Sequence, residues 1–154
     1  MKTITLQALT FFCLVAMLSS CAVEPKTIPY GQANCAHCNM TVSDNRYGAE
    51  LVNDKGKASF FDSIECLAAY LNERPEEQKN AAFLMVSDFA NPGTLVEVGK
   101  AQFLRTKALA SPMGMHLTAV ADPSTAAKMK QQYAGTLLNW VQVQEAVQNN
   151  DKLE

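Results

Sequence analysis

The feature that most constrains the fold of this chain is a predicted β-hairpin followed at once by an amphipathic helix. Residues 47–52 and 57–61 carry strand-forming side chains, and residues 53–56 between them have the composition of a turn. Asp62 can cap the helix that follows, with Glu65 at the position of a capping-box partner. One apolar stripe runs along this helix at i, i+3, i+4 and i+7: Ile64, Leu67, Ala68 and Leu71.

A similar order of elements recurs in the rest of the chain. Further strands are predicted at 82–86, 95–98, 101–106, 116–121 and 136–138. Asp122-Pro123 opens a helix that runs to about Tyr133, because proline suits the first helical position. Asn139 caps a last helix that ends near Asn149.

The recurrence predicts an α+β fold in which two similar small ββαβ-type halves pack into one compact unit. In the alignment that suggests this repeat, residues 61–65 correspond to 138–142. Residues 38–40 and 113–115 then each precede a hairpin. We therefore expect these two sulfur-containing loops to occupy corresponding places in the two halves.

The N-terminal residues have the pattern of a bacterial lipoprotein signal. Lys2 precedes an apolar run that is too short for a bilayer-spanning helix of roughly 20 residues. Leu18-Ser19-Ser20-Cys21 resembles a lipobox, which implies cleavage before Cys21 and acylation of its thiol. Ala22 follows and is not Asp, which favours a periplasm-facing lipoprotein of the outer membrane. The predicted order is signal peptide, lipid-anchored tether and two half-domains: 1–20, 21–34, 35–92 and 93–154.

Charge and cysteine content exclude several classes of function. Loss of Lys2 with the signal leaves 12 basic and 15 acidic residues, with no basic block to support nucleic-acid binding. No phosphate loop or Ser/His/Asp set indicates a small-molecule substrate. The processed chain keeps Cys35, Cys38 and Cys66, an odd number, so disulfides alone cannot pair them all.

Sulfur and imidazole side chains gather in two short segments. The first is Cys35-Ala-His37-Cys38-Asn-Met40, and the second is Met113-Gly-Met115-His116. The only two histidines of the chain lie in these segments. Thiolate, thioether and imidazole are the ligands that a soft ion such as copper(I) prefers. The pattern therefore predicts a copper(I) site.

The predicted ligands are Cys38, Met40 and Met113, with Met115 or His116 as the fourth. Cys38 and Met40 can lie on one side of an extended segment, because alternate side chains share a face. The methionines of both loops stand beside cysteine, glycine or histidine instead of following an apolar period. His37 would point away from the Cys38–Met40 pair, and Cys66 is expected to be a small buried thiol.

Three other interpretations remain open at this point. Cys35 and Cys38 could form a disulfide or act as a thiol–disulfide oxidoreductase, although such dithiols usually open a helix after a buried strand. A zinc site would need four good ligands and would leave the methionines without a role. The chain could also be a structural lipoprotein whose sulfur residues bind no metal.

Several motifs together resemble the NosL family, the copper-binding lipoproteins that assist nitrous oxide reductase. They are Cys38-x-Met40-x-Val42, the 47–52 strand, Phe61-Asp62-Ser63-Ile64 and Ser111-Pro112-Met113-Gly114. The resemblance implies a non-enzymatic metallochaperone that captures copper(I) outside the cytoplasm and passes it to the reductase, alongside the other assembly factors of that enzyme. By position it assigns ligand roles to Cys38, Met40 and Met113. This chain departs from the family at Asn39, where glycine is common, and at Met115-His116, which adds potential ligands.

Overall fold

The structure is a computed structural model that describes residues 22–151 and residue 153. Seven strands are present in the described residues: β1 (Ala49–Asn53), β2 (Ala58–Phe61), β3 (Ala81–Ser87), β4 (Leu95–Glu97), β5 (Gln102–Arg105), β6 (Leu117–Val120) and β7 (Thr136–Leu138). Four helices accompany them: α1 (Ile64–Glu73), α2 (Pro75–Lys79), α3 (Pro123–Tyr133) and α4 (Trp140–Gln148). No helix in this part of the chain is long and apolar enough to cross a membrane. The predicted signal peptide and Cys21 lie outside the described residues.

The strands form two antiparallel sheets with the same local topology. The first has the order β2-β1-β3-β4 and the second has the order β6-β5-β7. In each sheet the first hairpin strand is central, its hairpin partner lies on one side, and the strand after the helix lies on the other. The predicted α+β fold of two similar ββαβ halves is therefore confirmed.

The correspondence between the halves differs from the one expected. In the first half β2 leads into α1, and in the second half β6 leads into α3. The counterpart of residues 61–65 therefore lies at the start of α3, and their alignment with 138–142 was wrong. Residues 61–65 and 138–142 both carry a polar helix cap after an apolar strand. This shared pattern explains the wrong alignment. Residues 113–115 consequently lie inside the β5–β6 hairpin and not before a hairpin.

Two segments pack against a different part of the chain from the one to which the sequence assigned them. β4 follows the predicted boundary at residue 92 but pairs with β3 in the first sheet. Residues 26–34, assigned by sequence to the tether, pack on the domain: Ile28 is buried, and the Tyr30 hydroxyl lies 2.8 Å from Ser87 Oγ. The Lys26 amide donates to Glu50 Oε1 at 2.8 Å. Scattered single apolar residues hid this packing, because they follow no period.

Side-chain caps fix the starts of the three longer helices. Ser63, one residue later than expected, caps α1 by accepting from the Cys66 amide at 3.2 Å. Asp122 caps α3 by accepting from the Thr125 amide at 2.7 Å. Asn139 and Gln142 form a reciprocal capping box at the start of α4. The short helix α2, which the sequence analysis did not predict, begins directly at its proline.

A shared hydrophobic core joins the two halves through α1. This helix packs on β1 and β2 of its own half and on α4 and β6 of the other. Phe61, Leu67 and Phe103 are fully buried in the common core. The Asn72 side-chain amide also donates to the carbonyl of Gln144 at 2.9 Å. Because α1 contacts both halves, a group on its first turn lies near the seam between them.

Candidate metal centre

Three thiols converge at the start of α1. The Sγ atoms of Cys35, Cys38 and Cys66 all lie within 4.8 Å of one another, and those of Cys38 and Cys66 are 3.7 Å apart. All three thiols are free. Three sulfurs bound to one ion at about 2.3 Å, the metal–thiolate distance common in proteins, would lie roughly 3.8–4.0 Å apart. The observed spacing is thus close to that of a metal-bound thiolate set.

A tight turn places Cys35 and Cys38 on the same side of their loop. The Cys35 amide donates to the Met40 carbonyl at 2.7 Å, and the Asn39 amide donates to the Cys35 carbonyl at 2.9 Å. Asn39 closes the turn in the left-handed region with φ of 62°. Asparagine and glycine are the residues that enter this region most readily, which accounts for the asparagine at this position.

β2 connects this turn to the third thiol. The Ala36 amide donates to the carbonyl of Phe60 in β2 at 2.8 Å, which fixes the turn beside that strand. β2 then ends, Ser63 caps α1, and Cys66 follows in the first helical turn. The thiol cluster, defined as Cys35, Cys38 and Cys66, is therefore assembled by one strand and the two segments attached to it.

Hydrogen bonding within the thiol cluster makes Cys35 its most acidic member. A hydrogen bond from the Cys66 thiol lowers the pKa of Cys35, which also accepts from backbone amides of its own turn. The same hydrogen bond and burial raise the pKa of Cys66. Burial raises the pKa of Cys38. Among the three thiols, Cys35 is therefore the one whose pKa is lowered.

The predicted thioether ligands are distributed around the thiol cluster and not within it. Met40 is 53% exposed and Met113 is 38% exposed, whereas Met115 is buried at 5% exposure. A cavity of about 190 Å³ brings Met113 and Met115 to the same space as Cys66 and His37. The structure thus places the second predicted loop next to the thiol cluster. The ligand assignment of Cys38, Met40 and Met113 itself remains a prediction.

His116 is held by a different set of contacts. Its amide donates to Ser111 Oγ at 2.8 Å, and its Nδ1 lies 3.3 Å from the Leu109 carbonyl oxygen. The imidazole does not line the cavity that holds the two methionines. Of the two candidates for a fourth ligand, Met115 is therefore the one beside the thiol cluster.

A buried hydrogen-bond link ties the β5–β6 loop to α1. The Ser111 hydroxyl donates to Glu65 Oε1 and accepts from the His116 amide. Ser111 is 7% exposed and Glu65 is 3% exposed. This link fixes the loop that carries Met113 and Met115 against the helix that carries Cys66.

Comparison with known proteins places the chain in a family. The NosL family model matches residues 25–148. This chain belongs to the NosL family. The structure is also similar to the crystal structure of the copper chaperone NosL from Shewanella denitrificans, with a TM-score of 0.65 and 20% sequence identity over 77% of this chain and 93% of that chain. No curated protein matches the chain significantly. The similarity to the NosL crystal structure shows that the two proteins share a fold.

Sequence reasoning about this NosL chain missed the part that Cys66 plays in the cluster. Its predicted burial is confirmed at 1% exposure, but it is buried against two other thiols and not only against the core. Two signals were available. The number of cysteines that the predicted processing would leave is odd, and Cys66 lies in the first turn of the helix that follows the hairpin. Neither signal reveals which other segment approaches that turn.

Proposed function

We propose that this NosL protein is a non-enzymatic metallochaperone that binds copper(I) outside the cytoplasm and supplies it to nitrous oxide reductase. The single observation that carries the proposal is the thiol cluster, whose sulfurs lie within 4.8 Å of one another on a NosL fold. The structurally similar Shewanella denitrificans protein is itself described as a copper chaperone. Delivery to the reductase follows from the family resemblance of the motifs.

The chemistry of the cluster and its surroundings favours copper(I) over zinc. Copper(I) is a soft ion that prefers thiolate and thioether ligands. Structural zinc instead takes four thiolate, imidazole or carboxylate ligands in a tetrahedron. The cavity lined by Cys66 is also lined by two thioethers, Met113 and Met115, which suit the softer ion. We assign Cys38 as the central ligand, joined by Cys35 and Cys66, and we assign Met40 and Met113 as exposed sulfur ligands that replace a thiolate while the ion enters or leaves.

The geometry disfavours the oxidoreductase alternative. Cys35 and Cys38 lie in a turn closed by Asn39, and neither residue belongs to a helix. Redox dithiols of the Cys-x-x-Cys type instead stand at a helix N-terminus, which stabilises the attacking thiolate. Cys35, the most acidic thiol, is also only 2% exposed, so a protein disulfide could not reach it without local opening.

The cellular setting of the proposal rests on the N-terminal sequence. Acylation of Cys21 would place the domain on the periplasmic face of the outer membrane, where nitrous oxide reductase could receive copper. Two acyl chains give stable anchoring, whereas one is marginal. No nucleic acid and no small-molecule substrate enter this proposal.

Copper(I) titration of the full chain in detergent, with a coloured chelator as competitor, tests the function. We expect one tight site in the wild type, its loss in Cys38→Ser, and its retention in Met85→Leu, which replaces a buried thioether in β3. Incubation of the loaded protein with copper-free nitrous oxide reductase should then transfer the metal. Absence of a tight site in the wild type would contradict the proposal.

A further inference from the structure

A cavity between α1 and the β5–β6 loop leads to one thiol of the cluster and not to the others. Its volume is about 190 Å³, and α1 contributes Glu65, Cys66 and Ala69 to its wall. Met113 and Met115 form the opposite side. Cys66 is the residue shared by the cavity and the thiol cluster. The cavity is therefore a space through which a small ion could contact the cluster directly.

Burial limits the other approaches to the thiols. Cys35 is 2% exposed and Cys66 is 1% exposed, and Cys38 is only half-buried. The turn that carries Cys35 and Cys38 is pinned to β2 by the Ala36 amide. Cys38 does not line the cavity, so an ion that approached from the Cys38 side would not pass Met113 or Met115.

Sulfur ligands along the cavity are graded in exposure. Met113 is 38% exposed, Met115 is 5% exposed, and Cys66 is the least exposed of the three at 1%. A neutral thioether binds copper(I) less strongly than a thiolate, since it lacks the negative charge. From Met113 to Cys66 the ligands thus change from weaker and more accessible to stronger and buried. An ion that moves inward by ligand exchange needs this increase in ligand strength.

Two buried polar atoms add to the attraction of this space for a cation. Glu65 Oε2 and His37 Nδ1 are shielded from solvent and have no hydrogen-bond partner among the described residues. Both side chains line the cavity. Each could satisfy its lone pair by facing a cation, whereas an unpaired buried polar atom otherwise carries a cost in free energy.

We propose that this cavity is the route by which copper(I) reaches and leaves the thiol cluster. Met113 receives the ion at the mouth, Met115 passes it inward, and Cys66 is the first thiol to bind it. Each step is a ligand exchange in which one copper–sulfur bond forms as another breaks, with no change of oxidation state. The inference rests on the proposed copper(I) function and adds its route and the order of its ligands.

The test is the rate of copper(I) exchange with a weak chelator, followed by stopped-flow absorbance on the full chain in detergent. Ala69→Leu would fill the cavity from α1 without removing a sulfur. Both loading and removal should slow by about tenfold, which corresponds to about 1.4 kcal/mol of activation free energy, while the equilibrium affinity stays unchanged. Ala127→Leu, at an exposed position of α3, is the matched control and should exchange at the wild-type rate.

A second variant keeps the cavity shape and removes a relay ligand. Met115→Leu conserves side-chain volume, so the protein should fold, while the inner thioether is lost. Slower loading together with slower removal supports the route, because loss of a ligand from the binding site alone would speed removal. Wild-type exchange rates in both Ala69→Leu and Met115→Leu, in a protein that still binds copper(I) tightly, would overturn the route and leave the proposed function intact. No tight binding by the wild type would instead refute the function itself.

Discussion

The Sγ atoms of Cys38 and Cys66 lie 3.7 Å apart although 28 positions separate the two residues in the chain. One belongs to a turn before β1 and the other to the first turn of α1. Their proximity depends on β2, which holds the turn on one side and leads into the helix on the other. A metal bound by both would therefore connect the N-terminal segment to the helix at the seam of the halves.

Cys66→Ser should weaken copper(I) binding by orders of magnitude, because it replaces a soft thiolate with a hard hydroxyl inside the cluster. The change is nearly isosteric, so the fold should persist. Competition titration against a copper(I) chelator measures the effect, and thermal unfolding of the metal-free protein checks the fold. Unaltered affinity in Cys66→Ser would show that this thiol is only a core residue.

Cys38→Ala should cost more copper(I) affinity than Met40→Ala. Cys38 can supply a negative charge to the ion, whereas Met40 is a neutral thioether that is 53% exposed. Paired titrations of the two variants give the comparison, and X-ray absorption counts the remaining sulfur ligands. A larger loss in Met40→Ala would contradict a thiol-centred site.

The contrast between Met40 and Cys66 shows what sequence could predict here and what it could not. Helix starts at Asp122 and Asn139 were predicted correctly, because a cap depends on residues three positions apart. The Cys38–Met40 motif is likewise visible in adjacent residues, and its role in binding copper stays a prediction. The approach of Cys66 to Cys38 depends on how a turn docks on β2, and no local pattern encodes that contact. The same limit produced the incorrect pairing of residues 61–65 with 138–142.

Ser111→Ala should lower the free energy of unfolding by about 1–3 kcal/mol, since a buried carboxylate oxygen of Glu65 and the His116 amide would both lose their partner. Chemical denaturation of the metal-free protein measures the loss. Ser43→Ala, at an exposed position, is the control and should change stability little. Equal stability of the two variants would mean that water replaces the missing hydroxyl.

Glu50 should make the protein more stable as the pH falls from neutral. Burial raises the pKa of its carboxyl above the ordinary 4.5, against a smaller opposing effect of the Lys26 amide. The folded state then binds a proton that the unfolded state releases, so stability increases as the pH falls through the raised pKa toward 4.5. Glu50→Gln should lack this gain in denaturation experiments across that range.

Asp44→Asn provides the contrasting control for the pH experiment. The Arg46 side chain lowers the pKa of Asp44 below its ordinary 3.8, so its contribution is present at neutral pH and is lost only at lower pH. The difference in stability between Asp44→Asn and the wild type should therefore stay constant over the pH range in which the difference between Glu50→Gln and the wild type changes. Parallel behaviour of the two variants would contradict the assignment of the effect to Glu50.

Cys21→Ser should release the protein from the membrane or leave its signal uncleaved, because the predicted lipid attachment requires the thiol. Fractionation of cells into membrane and soluble material, with mass measurement of the product, decides between these results. Cys13→Ser, within the predicted signal, is the matched control and should process normally. Normal cleavage and membrane retention of Cys21→Ser would contradict the lipobox assignment.

The packing of residues 26–34 on the domain limits how far the domain could move from a lipid. The Lys26 amide is hydrogen-bonded to the Glu50 carboxyl, so only residues 22–25 separate Cys21 from the folded part. Four extended residues span at most about 14 Å, roughly half the thickness of a bilayer core. The domain of a lipidated chain would therefore stay close to the membrane surface, because its linker to the lipid is short. Its encounter with a copper acceptor would become a search in two dimensions.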